Sequence, residues 1–565
     1  MKHTIDKIKN ILASPILVLS LMGLGTGGCL TSCSEPESSL YEFTKDNTLS
    51  TPNDTLYSLL GVISKLQNIA DRTVILGEIR GDLTSLTSEA TLDLQDIANF
   101  TADASNPYNQ ASDYYAVIQN CNYFLTHADT TLTKRGEKVF EKEYAVIKTY
   151  RAWTYLQLAQ IYGSVPFFTE PLLSEKDADP SLFPKYDIQQ IAEYFINDLE
   201  PYVDTEYPSY GTFGSLPSRN FYIPVRVLLG DLCLWAGRYS EAAKYYHDYL
   251  TKTGSTHPTG LNSISWQDET FEHTSNGWAN SLNNSSELIT YIPMEEDEFD
   301  GTISYLDDIF TSTEDNNYYP QVETSPAHKQ LSYAQRYTYI YTDPVSLLRD
   351  TISPPEDMVY TNENLRGDLR LSATYTFRNV SSSNANYNNT RQSSVKINTN
   401  YVTIYRLQHV YLRYAEALNR AGYPEAAFFV LKYGLCNDYT DKYLSQAERE
   451  AAGELIQFSS YTFTMSNTQG VHSRGSGNAN ADTTYVIPVL ASRSDSILYV
   501  EEKILDEMAL ETAGEGLRFY DLMRIALRRD TPTLLADKVA RRQGTLDSSL
   551  YSLLSDKSKW YLPLQ

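Results

Sequence analysis

The sequence is poor in cysteine and in basic side chains. Only 5 of its 565 residues are Cys, and neither a Cys-x-x-Cys pair nor a Cys/His spacing typical of zinc sites occurs. The 46 basic residues are outnumbered by 71 acidic ones, and the resulting net charge of -25 argues against nucleic acid as a partner. Because Cys121, Cys233 and Cys436 lie in apolar helical patterns, we expect them to be buried free thiols.

Signatures of common enzyme classes are also absent. The chain has no His-Glu-x-x-His, no Gly-x-Ser-x-Gly and no Walker loop. A glycosidase needs only two suitably placed carboxylates, and the 71 acidic residues offer many pairs without selecting one. We therefore expect a protein that is not an enzyme and needs no cofactor, with a hydrolase as the alternative.

The N-terminus predicts export and a lipid anchor. Lys2, Lys7 and Lys9 precede an apolar stretch at 11–24 that is too short to span a bilayer, which is typical of a signal peptide. Leu30-Thr31-Ser32-Cys33 resembles the lipobox of bacterial lipoproteins, in which cleavage precedes the cysteine and its thiol is acylated. The predicted anchor is therefore Cys33, and the alternative is a secreted protein with Cys33 buried.

The apolar periodicity predicts a mainly α fold of interrupted tetratricopeptide-like hairpins, an α-α superhelix. Val146, Tyr150, Trp153 and Leu156 form one stripe on a helix over about 137–162. Ala-Gly turns at 236–239 and 421–424 each separate two apolar helical stretches, as in a tetratricopeptide repeat. The units are not evenly spaced, which indicates interrupted repeats.

A polar insertion separates the two helical parts. Over about 254–400, Asn, Ser, Thr, Gly and Pro dominate, with possible short strands at 288–292 and 373–377. The predicted organisation has a signal peptide at 1–32, a surface tether at 33–50 and a single unit at 51–565. In that unit, hairpins over about 51–253 and 401–565 flank the loop-rich insertion, and such a long insertion usually carries function.

Four stretches together resemble the SusD/RagB family. Tyr150-Arg151-Ala152-Trp153 opens a run that ends in Tyr162-Gly163-Ser164-Val165-Pro166, and Arg413-Tyr414-Ala415-Glu416-Ala417-Leu418-Asn419 lies in a later helix. Gly514-Glu515-Gly516-Leu517-Arg518-Phe519-Tyr520-Asp521-Leu522-Met523-Arg524 resembles the strongest signature of the family. The C-terminal Tyr561-Leu562-Pro563 is similar to the usual ending, in a shortened form.

The resemblance implies a surface lipoprotein of the outer membrane with a helical scaffold and an irregular ligand-binding part. Such proteins deliver oligosaccharides, or peptides in the RagB branch, to a SusC-like TonB-dependent transporter, and they are not enzymes. The many Tyr and Asn residues of the insertion favour a glycan over a peptide. An adaptor that binds only protein is a further alternative.

The same resemblance places the ligand on loops that include the segment near 75–110. The site residues predicted there are Arg80, Asp82, Asn99, Tyr108 and Asn109. The aromatic platforms predicted in the insertion are Trp266, Trp278, Tyr318 and Tyr319. For each ring, burial against the scaffold is the alternative. Arg518, Asp521 and Arg524 lie three residues apart and are interpreted as ion-pairing residues that lock neighbouring hairpins together.

The acidic run at 295–301 could bind Ca²⁺ through carboxylate oxygens. It lacks the alternating spacing of an EF-hand loop, so a solvated acidic loop is the favoured interpretation.

Overall fold

The structure is a computed structural model that describes most of the chain after residue 51. Residues 52–252, 401–458 and 484–564 are described without a gap. Between them the structure describes residues 261, 287–294, 303–313, 319–335, 339–342, 345–347, 349–352, 368–374, 376–379, 390–394, 396–400, 463 and 468–476. The predicted Cys33, Trp266, Trp278, Tyr318 and the acidic run 295–301 lie outside the described residues.

Helices dominate the described residues, which confirms the mainly α fold class. The α-helices, in chain order, are α1 Pro52–Glu78, α2 Leu92–Ala98, α3 Ala111–His127, α4 Glu141–Tyr162, α5 Ile188–Leu199, α6 Val225–Ala236, α7 Tyr239–Lys252, α8 Leu306–Phe310, α9 Pro326–Tyr333, α10 Leu407–Arg420, α11 Pro424–Tyr433, α12 Asn437–Tyr443, α13 Gln446–Ala452, α14 Arg493–Thr512, α15 Arg518–Arg529, α16 Pro532–Ala540 and α17 Ser548–Leu554. None of them is both long and apolar enough to cross a membrane.

The strands are short and pair in twos, all antiparallel. They are β1 Thr84–Leu86, β2 Thr133–Lys134, β3 Glu137–Lys138, β4 Val165–Pro166, β5 Lys185–Tyr186, β6 Thr212–Phe213, β7 Leu216–Pro217, β8 Leu288–Pro293, β9 Val322–Thr324, β10 Tyr339–Thr342, β11 Arg349–Ile352, β12 Thr376–Asn379, β13 Thr390–Ser393 and β14 Tyr401–Arg406. β1 pairs with β9 and β8 with β14, whereas the other pairs are β2–β3, β4–β5, β6–β7, β10–β11 and β12–β13.

The predicted helical hairpins are present. The turn at 236–239 ends α6 at Ala236 and begins α7 at Tyr239, and the two helices pack against each other. The turn at 421–424 separates α10 from α11 in the same way. The stripe on α4 is buried, since Val146, Tyr150 and Leu156 are at most 2% exposed. Apolar periodicity was therefore a sufficient guide to the scaffold.

The predicted start of α4 at residue 137 is wrong by four residues. Glu137 and Lys138 instead form β3, which pairs with β2 across Arg135 and Gly136. Both turn residues have positive φ, 56° for Arg135 and 87° for Gly136, and such a two-residue turn matches the twist of a β-hairpin. The turn holds this segment as a hairpin, so the helix begins only at Glu141.

The two strands predicted in the insertion have different outcomes. The strand at 288–292 is confirmed as β8, whereas the strand at 373–377 is only partly right. Leu369–Ala373 forms a 3-10 helix, and β12 begins at Thr376. The Asp368 side chain accepts a hydrogen bond from the Arg370 backbone N–H at 2.9 Å and so begins the 3-10 helix.

The three cysteines are buried and free, as predicted. Burial raises the pKa of the Cys121 thiol and of the Cys233 thiol to about 12, so both stay protonated at neutral pH. They belong to the apolar interior of the hairpins.

A buried ion network joins the insertion to α14. Glu511 of α14 contacts Arg370 at 3.3 Å, Arg474 at 3.4 Å and Arg406 at 3.5 Å, and all four side chains are at most 2% exposed. Glu515, just after α14, contacts Arg406 at 2.7 Å. Although burial raises the pKa of Glu515, the charges of Arg406 and Lys396 hold it well below its usual range. These contacts hold Arg370, Arg406 and Arg474, which come from three separate segments, against the C-terminal end of α14.

The predicted ion pairs of α15 are also present. Arg524 contacts the Glu416 carboxylate of α10 at 2.6 Å and Asp521 at 2.7 Å. Arg518 reaches Asp82, which follows α1, at 2.6 Å. Because each arginine is buried and bonded through a carboxylate, the pairs fix the position of α15 against two other parts of the scaffold.

The glycines of the strongest signature permit a backbone contact. Gly516 has a φ of +77°, and a Cβ on Gly77 of α1 would lie 1.6 Å from the Gly516 carbonyl oxygen. No side chain fits between α1 and this turn. Close packing therefore explains Gly516 of the signature.

Candidate ligand-binding face

The β1–β9 pair brings two distant loop segments together. Thr84 lies opposite Thr324, and Leu86 lies opposite Val322. Beyond the strands, the Thr87 hydroxyl donates to the Pro320 carbonyl at 2.8 Å. We call the surface formed by residues 87–109 and the described residues of 303–324 the loop face. It contains parts of both regions in which the sequence predicts binding residues.

Asp71 of α1 fixes one edge of the loop face. Its carboxylate accepts hydrogen bonds from the Ser304 hydroxyl at 2.7 Å and from the Tyr305 backbone N–H at 2.8 Å. Burial raises the pKa of Asp71, while these two hydrogen bonds and the charge of Arg72 oppose that shift. The result is an anchored backbone from which the Tyr305 side chain is 62% exposed.

The loop after α2 is held by short-range hydrogen bonds. Phe100 has a φ of +59°, which is unusual for a bulky residue, and its ring packs 5.6 Å from that of Phe519. The Asp103 carboxylate accepts from the Ser105 N–H at 2.7 Å, and Asn106 accepts from the Tyr108 N–H at 3.0 Å. Strained backbone in a fixed loop is common at ligand sites. The loop is therefore pre-shaped before any ligand binds.

Three predicted residues lie on the loop face. Asn99, which ends α2, is exposed, Tyr108 is half-buried, and Tyr319 is 39% exposed. Burial raises the pKa of Tyr108, and the charges of Asp93 and Asp71 raise it further, so this ring lies near two carboxylates. The loop face combines rings with hydrogen-bonding groups, which is the chemistry expected of a sugar-binding surface.

Arg80, by contrast, lies in the interior. Its guanidinium donates to the Trp560 carbonyl and to the Tyr520 hydroxyl, both at 3.0 Å, and it stacks 4.3 Å from the Phe519 ring centroid. The side chain has no exposed surface. These contacts assign Arg80 to the packing of the C-terminus and not to contact with a ligand.

Asp82 and Asn109 are interior residues as well. Asp82 is bonded through both carboxylate oxygens to Arg518, at 2.6 and 3.0 Å. Asn109 donates to the Asp103 carbonyl at 2.9 Å and to the Pro563 carbonyl at 3.1 Å. The expectation that Asp82 and Asn109 contact a ligand is therefore wrong. Both residues are polar, but polarity in the sequence does not show whether a side chain is buried.

Sequence reasoning does not single out the two most exposed apolar residues of the loop face. They are Leu92, which is 76% exposed at the start of α2, and Tyr305. Tyr305 is one of many rings in the polar insertion, and only the bond to Asp71 distinguishes it. Nothing in the sequence around Leu92 indicates exposure.

Two clefts lie elsewhere on the described part of the chain, and neither is lined by a predicted site residue. One, of about 550 Å³, is lined by Tyr207, Arg219 and Asn220 among others, and the second, of about 610 Å³, lies between α11 and the segment 485–496. The loop face is instead marked by the exposed rings of Tyr305 and Tyr319.

Comparison with curated proteins shows a partial sequence match. The chain is 27% identical over 205 residues to a SusD-like protein of Formosa agariphila. The match spans 34% of this chain and 37% of the length of that relative. None of the known protein-family models matches the chain.

Solved structures share the fold over most of the chain. A SusD superfamily protein from Bacteroides vulgatus has a TM-score of 0.56 at 14% identity, covering 89% of this chain and 92% of that one. One from Bacteroides thetaiotaomicron has a TM-score of 0.53 at 16% identity, covering 84% and 89%. A protein from Bacteroides fragilis, described as SusD-like and carbohydrate-binding, has a TM-score of 0.51 at 14% identity, covering 86% and 88%. Together, these comparisons show that the chain shares the fold of SusD superfamily proteins and is similar in sequence, over about a third of its length, to a SusD-like protein.

Proposed function

We propose that this protein captures oligosaccharides at the cell surface and delivers them to a SusC-like TonB-dependent transporter of the outer membrane. The observation that carries the proposal is the SusD fold over more than four fifths of the chain, which is shared with a protein described as carbohydrate-binding. In this proposal the protein is a binding module, without catalysis, cofactor or nucleic acid partner.

The loop face supports a sugar as the ligand. Sugars present C–H faces that stack on aromatic rings, and hydroxyl groups that donate to carboxylates and amides. Tyr305 and Tyr319 offer exposed rings, and Asn99 offers an exposed amide. Because Asp71 and the β1–β9 pair hold these segments in place, little conformational entropy is lost on binding.

A glycan array followed by calorimetry tests the binding role. We expect the wild-type protein to bind at least one class of oligosaccharide, and the double variant Tyr305→Ala/Tyr319→Ala to bind it about tenfold or more weakly. Tyr443→Ala is the matched control, because Tyr443 is 42% exposed on α12, outside the loop face. Binding of peptides alone would favour the RagB-type alternative, and product release from a glycan would point to an enzyme.

The anchor is proposed from the lipobox and is tested separately. A Cys33→Ala variant should lose its acyl chains and leave the membrane fraction while its affinity for the ligand is unchanged. Fractionation and metabolic labelling with a fatty acid measure the first effect, and calorimetry the second. A variant that stays membrane-bound contradicts Cys33 as the anchor.

Delivery to a transporter predicts a complex in the outer membrane. The protein, purified from its own membranes in mild detergent, should carry a TonB-dependent transporter with it. Its purification alone, with ligand binding intact, would contradict the proposed partner and leave the binding role standing.

A further inference from the structure

The loop face carries charge of one sign. Residues 87–109 contain Glu89, Asp93, Asp96 and Asp103 but no Lys or Arg. The described residues of 303–324 include three acidic residues and again no Lys or Arg. Acidic residues exceed basic ones in the whole chain as well, 71 against 46. The chain as a whole nevertheless contains many basic residues, whereas these two segments contain none.

Three of the four acids of the first segment accept hydrogen bonds from neutral groups. Asp96 accepts from the Thr101 hydroxyl at 2.9 Å, and Glu89 accepts from the Ser88 hydroxyl at 3.2 Å. The Ser105 N–H and hydroxyl each lie 2.7 Å from Asp103, and these hydrogen bonds lower its pKa. A neutral donor keeps a carboxylate ionised and leaves its negative charge in place.

Arg72 and Lys329, two basic side chains close to the loop face, each have a carboxylate beside them. Arg72 donates to the Asp113 carboxylate of α3. Lys329 of α9 is half-buried; burial lowers its pKa, and the charge of Glu323 on the loop face partly opposes that shift. Among the described residues, neither a basic residue nor a histidine forms an ion pair with the four acids of the first segment. The two segments therefore contribute only negative charge to the loop face.

We infer that the ligand of the loop face is an oligosaccharide without carboxylate or sulfate groups. This inference rests on the proposed function and narrows its ligand class. An anionic glycan would bring like charges together at a surface that offers no basic side chain from either segment to pair with them. The hydroxyls of an uncharged sugar, by contrast, donate to ionised carboxylates.

Matched glycans test the inference. Uncharged xylan, mannan and glucan fragments are compared with polygalacturonate, alginate and heparin fragments on the Cys33→Ala protein. We expect binding only among the uncharged set, with a Kd that changes less than twofold between 50 and 500 mM NaCl, because no ion pair is screened.

The outcomes distinguish the inference that the glycan is uncharged from the proposed function of glycan binding. An anionic glycan that binds the wild type and is lost in Tyr305→Ala/Tyr319→Ala overturns the inference and leaves the proposed function intact. No binding to any glycan overturns the proposed function, and this inference with it. Binding confined to uncharged glycans supports both.

A charge reversal gives a test that does not depend on which sugar the protein binds. The Glu89→Lys/Asp93→Lys variant should gain salt-sensitive retention in native gels that contain polygalacturonate. Glu137→Lys/Glu454→Lys changes the net charge equally at two exposed sites outside the loop face and should show no such gain. Equal retention of both variants would mean that net charge, and not the loop face, decides which glycans are rejected, which contradicts the inference.

Discussion

The interior and the loop face use charged side chains in opposite ways. In the interior, Glu511 meets Arg370, Arg406 and Arg474, so buried charges are matched by opposite charges. On the loop face, Asp96 meets only the hydroxyl of Thr101 among its described hydrogen-bond partners. Burial explains the difference, since an unpaired charge is costly in the interior and tolerable at the surface. The number of charged residues in the sequence therefore does not show which of them form ion pairs. Whether a charged side chain is buried or exposed decides whether it needs a partner of opposite charge.

The largest expected effect comes from breaking the interior network. Glu511→Ala leaves three buried arginines short of a partner, and we expect it to lower the free energy of unfolding by about 3–5 kcal/mol. Chemical denaturation of the purified protein measures the change. Glu454→Ala, at an exposed position, is the control and should change it by less than about 0.5 kcal/mol. Similar values for both variants would mean that the network contributes little.

A smaller effect on stability is expected at Glu78, a buried acid for which the described residues show no ion pair with an arginine. Glu78 of α1 accepts from the Gly516 N–H at 3.2 Å, and burial raises its pKa from 4.5 to about 7. Because the unfolded chain releases this proton at lower pH, the native state binds more protons between these values, and this carboxyl makes stability fall as pH rises from 4.5 to 7.

Glu78→Gln removes that dependence. We expect the variant and the wild type to be similar in stability near pH 4.5, and the variant to gain up to about 3 kcal/mol relative to the wild type by pH 7.5. Thermal unfolding across that range, with the two curves subtracted, isolates this group from the other titrating residues. A flat difference curve would show that Glu78 is already ionised in the native state at acidic pH.

The scaffold could be predicted from the sequence because its determinants are local. The stripe on α4 and the turn at 236–239 are visible within short windows, and both predictions hold. The start of α4 was misplaced because the β2–β3 hairpin precedes it. The positive φ of Arg135 and Gly136, which forms the turn of that hairpin, does not alter the spacing of apolar residues from which the helix was predicted.

The loop face could be predicted only in part. Tyr319 is exposed, as an aromatic platform requires, whereas Arg80 and Asp82 are buried in spite of their polarity. The reason is long-range pairing: Asp82 is bonded to Arg518, and Arg80 reaches the Trp560 carbonyl. Partners more than 400 positions away cannot be found from local patterns.

The smallest expected effect on stability comes from the loop face, and it completes the contrast with the interior. Glu89→Gln/Asp93→Asn removes two charges whose surroundings are solvent and neutral groups, so the free energy of unfolding should change by less than about 0.5 kcal/mol. Chemical denaturation at low salt measures this change under the conditions that favour surface electrostatics most. A loss as large as that of Glu511→Ala would mean that these acids hold the fold together. An unchanged value with altered glycan binding would instead show that the loop face keeps its charges for the ligand and not for the fold.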